Sequence, residues 1–230
     1  MNVPARVLLL VLGAALAAGP GLAQIARDET LNYAVNWPSG LSLGEVRLQA
    51  QRAGPRWQFE FTLEAALPGF AVRDRYQSIT GDTGCSLELD KQFAHGQRKG
   101  HERTAFDAVR GVAARETLSG GGKSEVTVPA CPKDALAFLY YLRRELGQGR
   151  LPPPQSVYFG ATYQVRLEYS GTQNLRLGEE RVEADRLTVA VKGPASEIRF
   201  EVFFARDAAR TLVLARMPFP MGVFSMELVR

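Results

Sequence analysis

Residues that do chemistry are scarce in this sequence. Among its 230 residues are two histidines and two cysteines. His95 and His101 lie six apart with no cysteine pair at ligand spacing beside them. A structural zinc site commonly takes four nitrogen or sulfur ligands. Asp90 and Glu102 would join the histidines only if folding gathered them, so no metal site is expected. No Gly-x-Ser-x-Gly elbow presents a nucleophile. Asp82-Thr83-Gly84 has the form of an aspartic-protease triplet, but that chemistry needs two carboxylates sharing a proton. Here the triplet stands alone after Thr80-Gly81 and reads as a turn. No catalytic residues, no enzyme activity and no cofactor are expected.

Long apolar runs and single-sign charge runs are equally scarce. The formal net charge of +4 is mildly basic, and arginine far outnumbers lysine. The arginines are scattered instead of forming a stripe interleaved with aromatics, so no nucleic-acid partner is expected. Many sit beside acids, as in Glu179-Glu180-Arg181-Val182-Glu183-Ala184-Asp185-Arg186, which reads as a solvated strand face. No stretch has the roughly 20 apolar residues of a membrane-crossing helix.

The longest apolar run, Val7 to Ala18, follows Arg6 and leads through small residues to Gly21-Leu22-Ala23. A short positive region, an apolar stretch of about a dozen residues and a small-residue exit define a secretory signal. Residues 1–23 are therefore expected to be a cleaved signal peptide, and 24–230 a single β-rich domain. No cysteine stands near the cleavage point to carry a lipoprotein anchor, so the expected location is the periplasm. In that oxidising compartment Cys85 and Cys131 are expected to form a disulfide. It would close a loop of about 45 residues and contribute about 3–4 kcal/mol.

What the mature chain does contain is strand pattern. Trp57, Phe59, Phe61 and Leu63 alternate with Gln58, Glu60, Thr62 and Glu64, the period of a half-buried strand. Leu31, Tyr33, Val35 and Trp37 share one face in the same way. Further strands are predicted over 41–51, 71–80, 85–93, 98–106, 157–169, 181–191, 196–204, 211–217 and 223–229. Ten or more short strands at turn spacing are an all-β signature. Cys131-Pro132-Lys133-Asp134 introduces the one clear helix, at about 133–146, and Gly147 closes it. From Ala135 to Leu142 the helix has no polar face apart from tyrosine hydroxyls, so it must be buried on every side. The predicted fold is a single curved antiparallel sheet, a barrel or half-barrel, with this helix packed inside or across its mouth. Leu151-Pro152-Pro153-Pro154 follows as a stiff connector.

Several stretches together have the look of one family. They are Glu29-Thr30-Leu31-x-Tyr33-x-Val35-x-Trp37 with Gly40 and Gly44; Val72-Arg73-Asp74-Arg75-Tyr76; Phe93 to Gly96 with Arg98 and Phe106-Asp107; the helix Asp134 to Arg143; and Pro218-Phe219-x-x-Gly222-x-Phe224-x-x-Glu227-Leu228. In this succession the chain resembles the exported bacterial proteins grouped as domain-of-unknown-function family 3108, over almost all of the mature sequence. The resemblance implies an exported β-rich domain. It supplies no catalytic positions, and the cysteine pair is not expected throughout that group.

Two sets of residues remain as site candidates. Asp74 falls on the same strand face as Val72 and Tyr76, and a buried carboxylate needs a partner; Arg143, on the helix face of Leu136, Leu139 and Tyr140, is the partner proposed by the pattern. Trp37, Phe59, Phe61, Phe138 and Tyr141 either pack as core or line a pocket for an apolar ligand. Two readings follow. One is a non-enzymatic periplasmic protein that binds or carries a hydrophobic or lipid-like molecule in a lipocalin-like fold, and the other is an envelope structural or interaction protein with a filled core. Whether the helix plugs the curve or lids a pocket stays open at this level.

Overall fold

A computed structural model describes residues 28–67, 69–220 and 222–230. The expected signal peptide lies outside these residues. The described chain forms strands β1 (Glu29–Asn36), β2 (Ser42–Ala53), β3 (Arg56–Leu67), β4 (Phe70–Thr80), β5 (Ser86–His95), β6 (Arg98–Asp107), β7 (Val112–Thr117), β8 (Lys123–Thr127) and the two-residue β9 (Lys133–Asp134). Helix α1 (Ala135–Gly147) comes next, then β10 (Gln155–Tyr158), β11 (Thr162–Leu177), β12 (Glu180–Lys192), β13 (Glu197–Ala205), β14 (Leu212–Phe219) and β15 (Gly222–Leu228).

All fifteen strands join one sheet in the order β8-β7-β6-β5-β4-β3-β2-β1-β15-β14-β13-β12-β11-β10-β9. Every pairing is antiparallel except β9 with β10. The order follows from hairpins, save at β9, which lies parallel to β10 across the α1 connection, and where β1 takes β15 as its second neighbour and so joins the two ends of the described chain. Period-2 alternation decides which face of each strand is buried. On β2, Val46, Leu48 and Ala50 are buried while Glu45 and Arg47 are exposed. Gly44 lets β3 come close, because a Cβ there would lie 2.0 Å from the carbonyl oxygen of Glu64.

Right-handed twist curls a sheet of this width, and the roll brings β9 back against β5. A hydrogen-bonded ladder does not close it. The seam is instead made by the disulfide Cys85–Cys131, one backbone hydrogen bond from Ser86 N to Pro132 O (2.8 Å) and a buried polar knot around Asp134. Strands β6–β8 continue past the seam and cover it with a small second core of Leu89, Phe106, Ala113, Val128 and Tyr158.

Asp134 explains why the helix starts where it does. It is the N-cap: its Oδ1 accepts from the backbone N–H groups of Leu136 (2.9 Å) and Ala137 (3.1 Å). Its Oδ2 accepts from the hydroxyls of Ser78 and Ser86, each at 2.6 Å. The helix was expected from 133, but Lys133 and Asp134 are extended and pair with Val157 and Tyr158. Pro132 accordingly precedes the helix instead of filling its first turn. A second difference concerns 157–169, where Gly160 takes φ +82° and turns the chain between β10 and β11. The triple-proline connector joins α1 to β10 within the same sheet.

Burial pushes the Asp134 carboxyl above its ordinary range, against its hydrogen bonds to Ser78, Ser86, Ala137 and Leu136. The folded chain therefore holds this proton more tightly than the unfolded chain. The resulting contribution to stability is complete below pH about 4 and is lost as pH rises through the folded-state value. Asp134→Asn is neutral at every pH, so as pH rises above about 4 its urea midpoint should fall less than that of the parent. Parallel midpoints for the two proteins would show that Asp134 does not titrate in this way.

Candidate functional site

Helix α1 presents two different apolar stripes. Leu136 and Tyr140 face the β1–β3 wall, where Tyr140 stacks on Phe59 with ring centroids 4.1 Å apart. Ala135, Phe138, Leu139 and Leu142 form the second stripe, at the i, i+3, i+4 and i+7 spacing of one helical face. That stripe faces β10–β14 across a cleft of about 440 Å3. Its opposite wall comes from Val157 on β10, Val165 and Leu167 on β11, Val189 and Val191 on β12, and Phe200, Val202 and Phe204 on β13. The helix approaches β3, β4 and β10, and the space opens toward β11–β14.

The cleft has a blind end and an open one. Phe204 is 1% exposed at the inner end, whereas Met217, toward the hairpin tips, is 37% exposed. Tyr163, Val191 and Phe200 are half-buried around the open end. Among the lining residues the one side-chain hydroxyl belongs to Tyr163. This is a surface that removes apolar groups from water.

Of the five aromatic candidates, Phe138 alone lines the cleft. Phe59 is core, stacked on Tyr140, and Phe61 stacks on Tyr76 at 5.4 Å. Trp37 meets Phe224 edge-on at 4.8 Å near the β14–β15 turn. Tyr141 is half-buried, with Lys133 Nζ 4.6 Å and the Arg144 guanidinium 5.1 Å from its ring centre. Periodicity carries no information on which wall each one meets. The missed lining residues of β12 and β13 do alternate in the sequence. What hid them is that their pairing with the helix depends on the curl of the whole sheet.

The proposed Asp74–Arg143 pair does not form. Arg143 instead makes a bidentate pair with Glu29 at the start of β1, its Nη2 donating to Oε2 at 3.1 Å and its Nη1 to Oε1. Its Nε donates to the carbonyl oxygens of Ala209 and Arg210, both at 3.1 Å. Asp74 accepts from the Tyr76 hydroxyl at 2.7 Å and contacts His95 Nε2 at 2.7 Å. The physical reason is direction: α1 runs from the seam toward the rim holding Glu29 and the 206–211 loop, so its C-terminal turn is carried away from Asp74.

Cys85 and Cys131 are bonded across the seam. His101 pairs with Asp90 at 2.8 Å, separately from the His95–Asp74 pair. Among the described residues no three His, Cys, Asp or Glu side chains converge as a metal site. Asp82-Thr83-Gly84 is a turn, closed by Gly84 N to Gly81 O at 3.0 Å.

Comparison with known proteins agrees with this architecture. A family model described as protein of unknown function (DUF3108) matches residues 32–229. The crystal structure of a beta-barrel-like protein of domain of unknown function DUF1849 from Brucella abortus superposes with a TM-score of 0.61, covering 87% of this chain and 95% of that one at 9% identity. At that identity the likeness is one of fold. Among curated proteins none matches. Among the described residues no helix is long and apolar enough to cross a membrane.

Proposed function

The chain belongs to the family described as protein of unknown function DUF3108, and from that premise we propose that it is a non-enzymatic, exported binding protein that shelters a hydrophobic or lipid-like molecule between α1 and β10–β14. The observation that carries this reading is the apolar cleft of about 440 Å3, within the range of small-molecule sites. Phe138 and Leu142 are already buried and Ala135 and Leu139 half-buried, so a bound acyl chain or similar ligand would gain its affinity by filling the space between walls that are largely withdrawn from water. The lining offers aliphatic and aromatic contact and no nucleophile–base pair, which supports binding over catalysis. Export to the periplasm rests on the N-terminal sequence pattern and fits the disulfide, a bond favoured in oxidising compartments.

A lipophilic fluorescent probe that brightens on burial tests the reading. The parent protein should bind it in a saturable way. Ala135→Trp, which fills the cleft from the helix side at a half-buried position, should weaken binding by about tenfold or more, the scale of losing one well-buried apolar contact. Equal probe binding by the two proteins would contradict this site. Absence of probe binding to the parent would favour an envelope interaction protein with no ligand.

A further inference from the structure

The inner face of β4–β7 carries charged residues beside the apolar Leu89, Phe106 and Ala113. Lys91, Glu102 and Arg115 meet there, with Asp74 and Tyr76 beside them. The two cations share one carboxylate: Lys91 Nζ is 3.6 Å from Glu102 Oε2, and Arg115 Nη1 is 3.8 Å from Glu102 Oε1. Both distances lie outside hydrogen-bond range. The Lys91 side chain is 13% exposed and that of Glu102 19%. Asp74 is a second carboxylate whose charge is felt at Lys91, but its oxygens are engaged by the Tyr76 hydroxyl and by His95 and do not hydrogen-bond the lysine. Lys91 is thus offset in charge but loosely held, its three donors facing a carboxylate 3.6 Å away.

This cluster adjoins the cleft through one residue. Phe159, in the turn between β10 and β11, lines the cleft. Its ring centre lies 4.2 Å from Lys91 Nζ, and Tyr76 meets the same ring edge-on at 5.0 Å. Beside it, Gly160 leaves the ammonium room, since a Cβ there would come within 3.2 Å of Lys91 Nζ. Arg115 is held at the same turn, its Nη1 donating to Gly160 O at 3.1 Å. An apolar cleft ending beside a desolvated, under-partnered cation is the arrangement that suits an amphiphile with an acidic head.

Resting on the reading of the cleft given above, we propose that Lys91 and Arg115 form the headgroup site of that cleft and take the carboxylate or phosphate of an acyl-chain amphiphile. The chain lies among the β11–β13 side chains, and the head passes Phe159 to reach the two cations. Burial lowers the affinity of Lys91 for its proton, against the pull of Glu102, and an incoming anion would offset that desolvation.

Titration calorimetry with dodecanoate, dodecyl phosphate, dodecanol and inorganic phosphate, on the parent and on Lys91→Met, tests the assignment. The parent should bind the acid and the phosphate ester about ten- to a hundredfold more tightly than the alcohol, the scale of a charge-assisted hydrogen bond. Lys91→Met should bind dodecanol as the parent does, which also reports that it is folded, and should lose most of the preference for the acid. Equal affinity of the parent for acid and alcohol would overturn the headgroup site while leaving the cleft intact. A preference that persists in Lys91→Met would overturn the role of Lys91. Inorganic phosphate binding as tightly as the ester would mean a free-anion site and overturn the proposal. If none of the chain-bearing compounds binds, the cleft reading fails and this inference with it.

Discussion

Joint replacement of Cys85 and Cys131 by alanine is expected to lower stability by about 4 kcal/mol. The bridge spans 46 residues, and the loop-closure entropy it removes from the unfolded chain grows with that span. Its position gives the loss a particular form. At the seam no β-ladder joins β9 to β5, so the bridge acts with one backbone hydrogen bond and the Asp134 knot to hold the roll closed. Amide exchange should therefore rise first at β9 and the first turn of α1, ahead of the long ladders of β2–β4 and β11–β13. Chemical denaturation of the double variant, combined with exchange, checks both parts. A loss under about 1 kcal/mol would mean that the knot alone holds the seam.

Arg143→Met should cost about 3–5 kcal/mol, because it leaves the Glu29 carboxylate without its partner in a largely buried site. The side chain of Arg143 is 7% exposed and that of Glu29 18%, so water recovers little of the lost pairing. The carbonyl oxygens of Ala209 and Arg210 lose a donor as well. Arg143 ties three distant parts of the chain together: the C-terminal turn of α1, the start of β1 and the 206–211 loop. Pairing Arg143→Met with Glu29→Gln should recover part of the loss, since no buried charge is then stranded. Urea denaturation of the two single variants and the double variant measures the coupling. Additive losses would mean that Arg143 acts through packing on Tyr140, whose ring centre is 5.0 Å from its guanidinium, instead of through Glu29.

The general architecture was legible from local pattern because it is built from local pattern. Hairpin after hairpin, alternation such as that of Trp57, Phe59, Phe61 and Leu63 marks which face turns inward, and neighbours in sequence become neighbours in the sheet. The apolar run from Ala135 to Leu142 correctly demanded a sheet curved around a helix. The partners of individual helix residues were not legible. Arg143 was matched to Asp74 as a carboxylate on a plausible inner face, while its partner Glu29 stands 114 residues away at the start of the first strand. Choosing between them requires the direction of the helix inside the roll, which the Asp134 cap and the seam disulfide set together. The cleft was hidden for the same reason. Phe59 and Phe138 look alike in the sequence, yet Phe59 meets Tyr140 on the packed side of the helix and Phe138 faces the gap. Lys91 gave no signal, because a lysine in an alternating strand reads as an exposed residue.

Occupancy of the cleft between α1 and β10–β14 decides the matter most directly. Native mass spectrometry of the protein, isolated from its own host without delipidating detergent, reads it in one spectrum. The expected result is a population heavier than the polypeptide by a defined lipid-like mass, lost on denaturation and much reduced in Ala135→Trp. A spectrum of bare polypeptide only, from parent and variant alike, would contradict the proposal that this cleft holds a hydrophobic ligand.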